Sequence, residues 1–169
     1  MKTLVIHPTD PTTDFLSVIY QDEDWTVIRD IVSRSSLVKA IQEHDVILMM
    51  GHGGRDGLYD KTKRQYVVND TFVFLLREKQ CTCIWCHADE FVQKYKLKGL
   101  YTGMVISELE EAINNCVNVQ GEEIEESNTL FAEAVRQALK HLDPVYKFKL
   151  MYEGDSAVIA FNKVRFFYE

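Results

Sequence analysis

Several things are scarce in this sequence, and each absence excludes something. Proline occurs 3 times in 169 residues, and no Pro/Gly/Ser-rich stretch or low-complexity tract interrupts the chain. No linker is therefore marked, and residues 1–169 read as a single domain, long enough to bury a substantial core. Positive charge is outweighed: 19 Lys and Arg against 26 Asp and Glu leave a net charge of −7. Nucleic-acid affinity rests on clustered cations, so no nucleic-acid partner is expected. No apolar run reaches the length of a bilayer span, so no membrane partner is expected either. The opening Met1-Lys2-Thr3-Leu4-Val5-Ile6 has one charge and a short apolar run, without the hydrophobic stretch and cleavage site of a signal peptide. The expectation is a cytoplasmic protein. Neither GxGxxG nor GxxxxGK[ST] is present, which counts against nucleotide binding, and no cofactor is expected. Cysteine is limited to 4 residues, three of them at positions 81, 83 and 86. Such crowding does not resemble a disulfide framework.

What is present is organised around residues 45–57, DVILMMGHGGRDG. The continuous apolar run Val46–Met50 ends in Gly51-His52-Gly53-Gly54. A short glycine-bounded run of this kind reads as a parallel strand buried on both faces, with a histidine delivered into the loop at its carboxyl end. Ligands of open α/β sheets sit at that end of the strands. A second run, CTCIWC at 81–86, ends in Cys86-His87. If the two strands are neighbours, His52 and Cys86 share one edge, as a Cys/His pair for nucleophilic catalysis requires. The imidazole would generate the thiolate and later protonate the leaving amine. The glycines would let a substrate carbonyl approach, with backbone N–H groups as oxyanion donors.

The rest of the chain supplies alternating elements. Strands are predicted over 2–6, 25–31, 45–50, 81–86 and 100–106, with a small hairpin of 57–60 and 65–68. Helices are predicted over 14–20, capped by Thr12 or Thr13, and over 33–43, 70–79 after Asn69, and 88–97. Another follows Ser107 to 115, and a last one covers 127–141, closed by Asp143-Pro144. The acidic residues at 121–126 read as a solvated, mobile segment. Runs 145–152 and 157–168 read as strands, from the alternation of Tyr146, Phe148, Leu150 and Tyr152. The fold expected is α/β, a doubly wound, mostly parallel sheet of flavodoxin-like winding, with helices on both faces and an antiparallel C-terminal edge.

Literal patterns compete at the second run. Cys83-Ile84-Trp85-Cys86-His87 matches C-x-x-C-H of haem attachment, and its first four residues match a thioredoxin-like C-x-x-C. The haem pattern lies inside an apolar run, and a thioredoxin motif opens a helix. A zinc site from Cys81, Cys83, Cys86 and His87 would need alternate residues of a strand on one side, and a second knuckle is missing. No metal is expected. Cys81 and Cys83 are expected in the core and Cys86 at the strand end.

A strand ending in His-Gly, a glycine and a small hairpin, a helix, and a strand ending in Cys resemble the caspase-like cysteine peptidases. That superfamily takes in caspases, metacaspases, the clostripain and gingipain relatives, and CHAT domains. The resemblance covers residues 2–111 and is carried by residues 46–59 and 83–88. It implies His52 as general base and acid, Cys86 as nucleophile, and the backbone N–H groups of Gly53 and Cys86 as oxyanion hole. It also implies a substrate pocket from the ends of the first and fifth strands, where His7, Thr9, Asp10, Thr102, Ser107 and Glu108 stand. For Glu108 the plainer reading is a first-turn acid favoured by the helix dipole. The function expected is a cysteine endopeptidase acting on a peptide or protein substrate. The alternative is a catalytically silent relative serving as a protein-binding or assembly module, and a small-molecule enzyme of flavodoxin-like shape is a third reading. Oligomeric state stays open.

Overall fold

The computed structural model describes residues 1–30 and 32–169. Among the described residues nine strands form: β1 Thr3–Ile6, β2 Thr26–Ile28, β3 Val46–Met50, β4 His52–Gly54, β5 Gly57–Asp60, β6 Gln65–Val68, β7 Gln80–Ile84, β8 Lys98–Thr102 and β9 Phe166–Tyr168. The helices are α1 Arg34–Glu43, α2 Val73–Leu76, α3 Ala88–Tyr95, α4 Leu109–Asn114, α5 Gly121–Ala138, α6 Pro144–Met151 and α7 Ala157–Lys163. Residues Asp14–Ile19 form a 3₁₀ helix rather than the predicted α-helix. The predicted strand over 25–31 is realised as β2, and its last residue, Ile31, lies outside the described residues.

The main sheet has the order β2-β1-β3-β7-β8-β9. Its first five strands are parallel, and β9 runs antiparallel at the edge. The apolar runs are continuous because both faces are covered. Leu4 and Ile6, Ile47 and Met49, and Cys81 and Cys83 point to one side, where α1, α2 and α3 pack with Leu37, Ile41, Leu76 and Phe91. Val5, Leu48, Met50 and Ile84 point to the other, onto the 3₁₀ helix, α5 and α6 through Leu16, Phe131, Val135, Phe148 and Tyr152. The strand period of two thus sorts each run between two cores. A second sheet, β4-β5-β6, is small and antiparallel.

The C-terminal third departs from expectation. Residues 145–152 are helical, not a strand: α6 begins at Pro144, with the Asp143 side chain accepting the Tyr146 N–H. Phe148 and Tyr152 are fully buried while Tyr146 and Leu150 are 59% and 51% exposed. The buried pair is four apart, so the apolar alternation belongs to a helix face. Of residues 157–168, most form α7, and Phe166–Tyr168 alone makes the antiparallel edge. The acidic run is the first turn of α5, where Glu122 and Glu123 face the positive end of the helix dipole.

One buried polar residue joins these helices to the sheet's carboxyl edge. Asn162 on α7 accepts the Ile106 N–H at 2.8 Å and donates to the Ile106 carbonyl at 2.9 Å. Asn128 on α5 donates to the Ser107 carbonyl at 2.9 Å. The segment after β8 is thereby fastened from two helices. Asn162→Ala would leave both Ile106 groups unpaired in the interior and is expected to cost about 2–4 kcal/mol; urea unfolding of the variant against wild type measures it.

Candidate active site at the carboxyl edge of the sheet

The β3–β7 register ends with Met50 opposite Ile84, and Gly51 N–H continues the ladder to the Ile84 carbonyl at 3.0 Å. His52 and Cys86 each stand two residues beyond that last pair, past the ends of adjacent strands. Gly51 has φ +140, a conformation that glycine adopts readily, and turns the chain out of the main sheet. His52 then opens β4 instead of lying in a loop, paired with Tyr59 on β5.

What fixes β4 over the end of β7 is Trp85. Its indole is buried, and Nε1–H donates to the Gly54 carbonyl at 3.0 Å. A Cβ on Gly53 would stand inside contact distance of the Trp85 ring and 2.6 Å from the Gly57 carbonyl oxygen. Gly53 is a glycine because the indole occupies its side-chain space. Thr102, fully buried, accepts the Trp85 N–H at 3.2 Å and donates to the Trp85 carbonyl at 2.9 Å.

Around His52 the hydrogen bonds determine a tautomer. The Thr12 hydroxyl donates to Asp10 Oδ1 at 2.7 Å, so it must accept from His52 Nε2–H, also at 2.7 Å. Nδ1 is left as the ring's free acceptor. Asp10 Oδ1 also accepts the Thr12 N–H at 2.9 Å and lies 3.7 Å from His52 Nε2. Burial alone would raise the Asp10 carboxyl, but the two Thr12 bonds, with His52 and Lys61 nearby, hold it below the usual range. Asp10 is thus an orienter of the histidine, acting through Thr12.

Cys86 is placed differently. Its thiol donates toward the Val105 carbonyl at 3.3 Å and toward Glu111 Oε1 at 3.5 Å. Burial, followed by the Glu111 charge, pushes the thiol up to about 12. Among the described residues no hydrogen bond joins Cys86 to His52, yet both border one open cavity of about 350 Å³, with Gly53, Gly54, Tyr59, Lys61, Tyr66 and Glu111. They also share a narrow recess of about 30 Å³ floored by Ile84, Trp85 and Phe131, room for about one water.

The remaining expected pocket residues divide. Ser107 borders the recess, and its N–H and hydroxyl donate to Glu111 Oε2 at 2.7 and 3.1 Å. Glu108, not Ser107, is the N-cap of α4, and its carboxylate lies 3.5 Å from Lys61 Nζ. Thr102 lines the recess, but its hydroxyl serves the Trp85 backbone. Thr9 is exposed and tied to the Arg29 carbonyl, its N–H at 3.1 Å. His7 lies in the interior, not on a pocket wall: its ring nitrogens meet Tyr20 Oη at 2.9 Å and Thr13 Oγ1 at 3.3 Å. Burial, helped by Arg29, lowers His7 to about 4, so it is neutral. Cys81 and Cys83 are buried in the core, Cys116 is exposed, and all four cysteines are unpaired. His87 takes a left-handed conformation, φ 62, and lies on the surface 3.2 Å from the Glu90 carboxylate. Cys83, Cys86 and His87 therefore diverge, and among the described residues no three His, Cys, Asp or Glu side chains gather as a ligand set.

Thr12 and Glu111 were missing from the sequence-based site. In the sequence Thr12 carries only the mark of a helix cap, shared with Thr13. Glu111 carried only the mark of a helix first turn; its contact with Cys86 spans 25 residues of chain. No helix is long and apolar enough to cross a membrane. Compared with known proteins, the chain matches no family model, no curated protein and no solved structure.

Two outcomes follow from this geometry. Gly53→Ala should force Trp85 from its seat and lower stability by about 1–3 kcal/mol, with a matching change in tryptophan fluorescence. Protonation of His7 belongs to the unfolded chain, since the folded-state value of about 4 lies below the ordinary 6.5. Its contribution is therefore intact above pH 6.5 and declines as pH falls toward 4, by roughly 3 kcal/mol in all. His7→Asn should flatten that slope in urea titrations across the window.

Proposed function

We propose that this chain is a caspase-like cysteine peptidase in which Cys86 attacks a peptide carbonyl with His52 as base and acid. The observation that carries the reading is the in-register, parallel β3–β7 pair, which brings His52 and Cys86 to the border of one cavity with His52 oriented by Asp10 through Thr12. Nucleophile, base and orienter come from three separate segments, the arrangement that thiol acyl transfer requires. The strand order supports the same reading, with a small antiparallel sheet following the histidine and an antiparallel strand closing the edge.

The chemistry runs in two halves. His52 Nδ1 takes the thiol proton, with the ring held in place by Thr12 and, through it, Asp10. The thiolate adds to the carbonyl carbon, and backbone N–H groups of Gly53 and Cys86 face the developing oxyanion. Nδ1–H then protonates the departing amine and leaves a thioester on Cys86. Water, deprotonated by His52, releases the acid and restores the thiol. Four unpaired cysteines suit a reducing compartment such as the cytoplasm.

A second reading, the silent binding module, is favoured by one observation: the Cys86 thiol faces Val105 and Glu111, not His52. Turnover of a broad peptide library separates the two. Cys86→Ala should abolish cleavage, and His52→Ala should lower it about 10²–10⁴-fold. The two losses should not multiply, since the residues act as a unit. Undiminished cleavage by Cys86→Ala would refute the peptidase mechanism, and no cleavage by wild type would favour the module.

A further inference from the structure

The two oxygens of Glu111 have separate occupations. Oε2 accepts the N–H groups of Ser107 at 2.7 Å and Glu108 at 3.1 Å, with the Ser107 hydroxyl at 3.1 Å. That is the reach-back half of a capping box and satisfies the start of α4. Oε1 is not needed for the cap, and it points at the sulfur of Cys86, 3.5 Å away. The other group on the sulfur, the Val105 carbonyl, is likewise an acceptor. The Glu111 charge stabilises S–H and would repel a thiolate.

From this we infer that Glu111 is a latch: it holds Cys86 as a thiol turned toward α4, and the Cys86–His52 pair assembles only when this carboxylate swings away from the sulfur. The inference rests on the peptidase reading for its consequence, while the latch itself is a property of the thiol. The charged and titratable groups about Cys86 are consistent with it. From β4 comes His52, engaged by Thr12. After β5 comes Lys61, paired with Glu108. From α4 and its cap come Glu111 and Glu108, and the following residue, His87, is paired with Glu90. Among the described residues, the one carboxylate hydrogen-bonded to the sulfur is Glu111. When the latch opens and Sγ turns to the histidine, the S–H bond breaks heterolytically. The proton passes to His52 Nδ1, and the electron pair stays on sulfur. Three of the contacts that hold the carboxylate come from Ser107 and Glu108, so movement of the segment between β8 and α4 is what would release it.

Glu111→Gln keeps the cap, since glutamine serves at that position, and removes the charge beside the sulfur. The test is the pH profile of iodoacetamide alkylation on the full chain, resolved by residue with mass spectrometry, for wild type, Glu111→Gln and the exposed Glu110→Gln. The expected result is a Cys86 midpoint at least about one pH unit lower in Glu111→Gln, hence about tenfold faster alkylation near neutral pH, with Glu110→Gln following wild type. In wild type, Cys86 should react more slowly than the exposed Cys116. A Glu111→Gln profile superposing on wild type overturns the latch, as does a wild-type Cys86 that outpaces Cys116. If Glu111→Gln fails to fold, the wild-type comparison still decides. Peptide turnover is scored separately: a shifted profile without turnover keeps the latch and removes the peptidase reading, and turnover without a shift removes the latch alone.

Discussion

The contact between Trp85 and the Gly53-Gly54 strand is the constraint on which the candidate site depends. β4 belongs to a separate small sheet and shares no ladder with the main one. Trp85 supplies the connection, with its ring where a side chain on residue 53 would be and its N–H on the Gly54 carbonyl. Burying an indole of this size removes about 200 Å² from water, on the order of 5 kcal/mol. The ring also meets Phe91 of α3 edge-on, at 5.8 Å between centroids, so helix, strand end and small sheet are located by one residue. Thr102 secures the Trp85 backbone from β8. His52 and Cys86 flank this unit, one residue from Gly53 and one from Trp85, and their spacing follows from it.

Two carboxylates then act on these side chains. Asp10 lies behind the imidazole, 3.7 Å from Nε2, and orients it through Thr12. Glu111 lies in front of the thiol and disfavours its anion. One fixes the orientation of the ring, and the other favours the neutral thiol. In the resting arrangement the thiol is therefore turned toward α4 and away from the imidazole.

Much of the architecture was legible in the sequence. The runs at 3–6, 46–50 and 80–84 are predominantly apolar because helices cover both sides, and that feature marks parallel strands. The helix over Arg34–Glu43 was legible from Leu37, Val38 and Ile41 at helical spacing, and Ser33 caps it, its side chain accepting the Ser36 N–H. The C-terminal third misled for a definite reason. Tyr146, Phe148, Leu150 and Tyr152 alternate, but a period of two also contains a period of four, and burial of Phe148 and Tyr152 selects the latter. Asp143-Pro144 stops α5's continuation and equally starts α6, since proline suits the first helical position.

By itself the sequence determined that one buried strand leads through glycine to His52, that another leads toward Cys86, and that the sheet is doubly wound, because hydrophobic period and glycine placement are local properties of the chain. Only the tertiary structure decided what surrounds those two side chains. Thr12 meets His52 across 40 residues, Glu111 meets Cys86 across 25, and Asn162 fastens Ile106 across 56. A short-range pattern carries no record of such pairings. A carboxylate's effect on a thiol depends on separation and burial, which exist only once the strands and helices have packed.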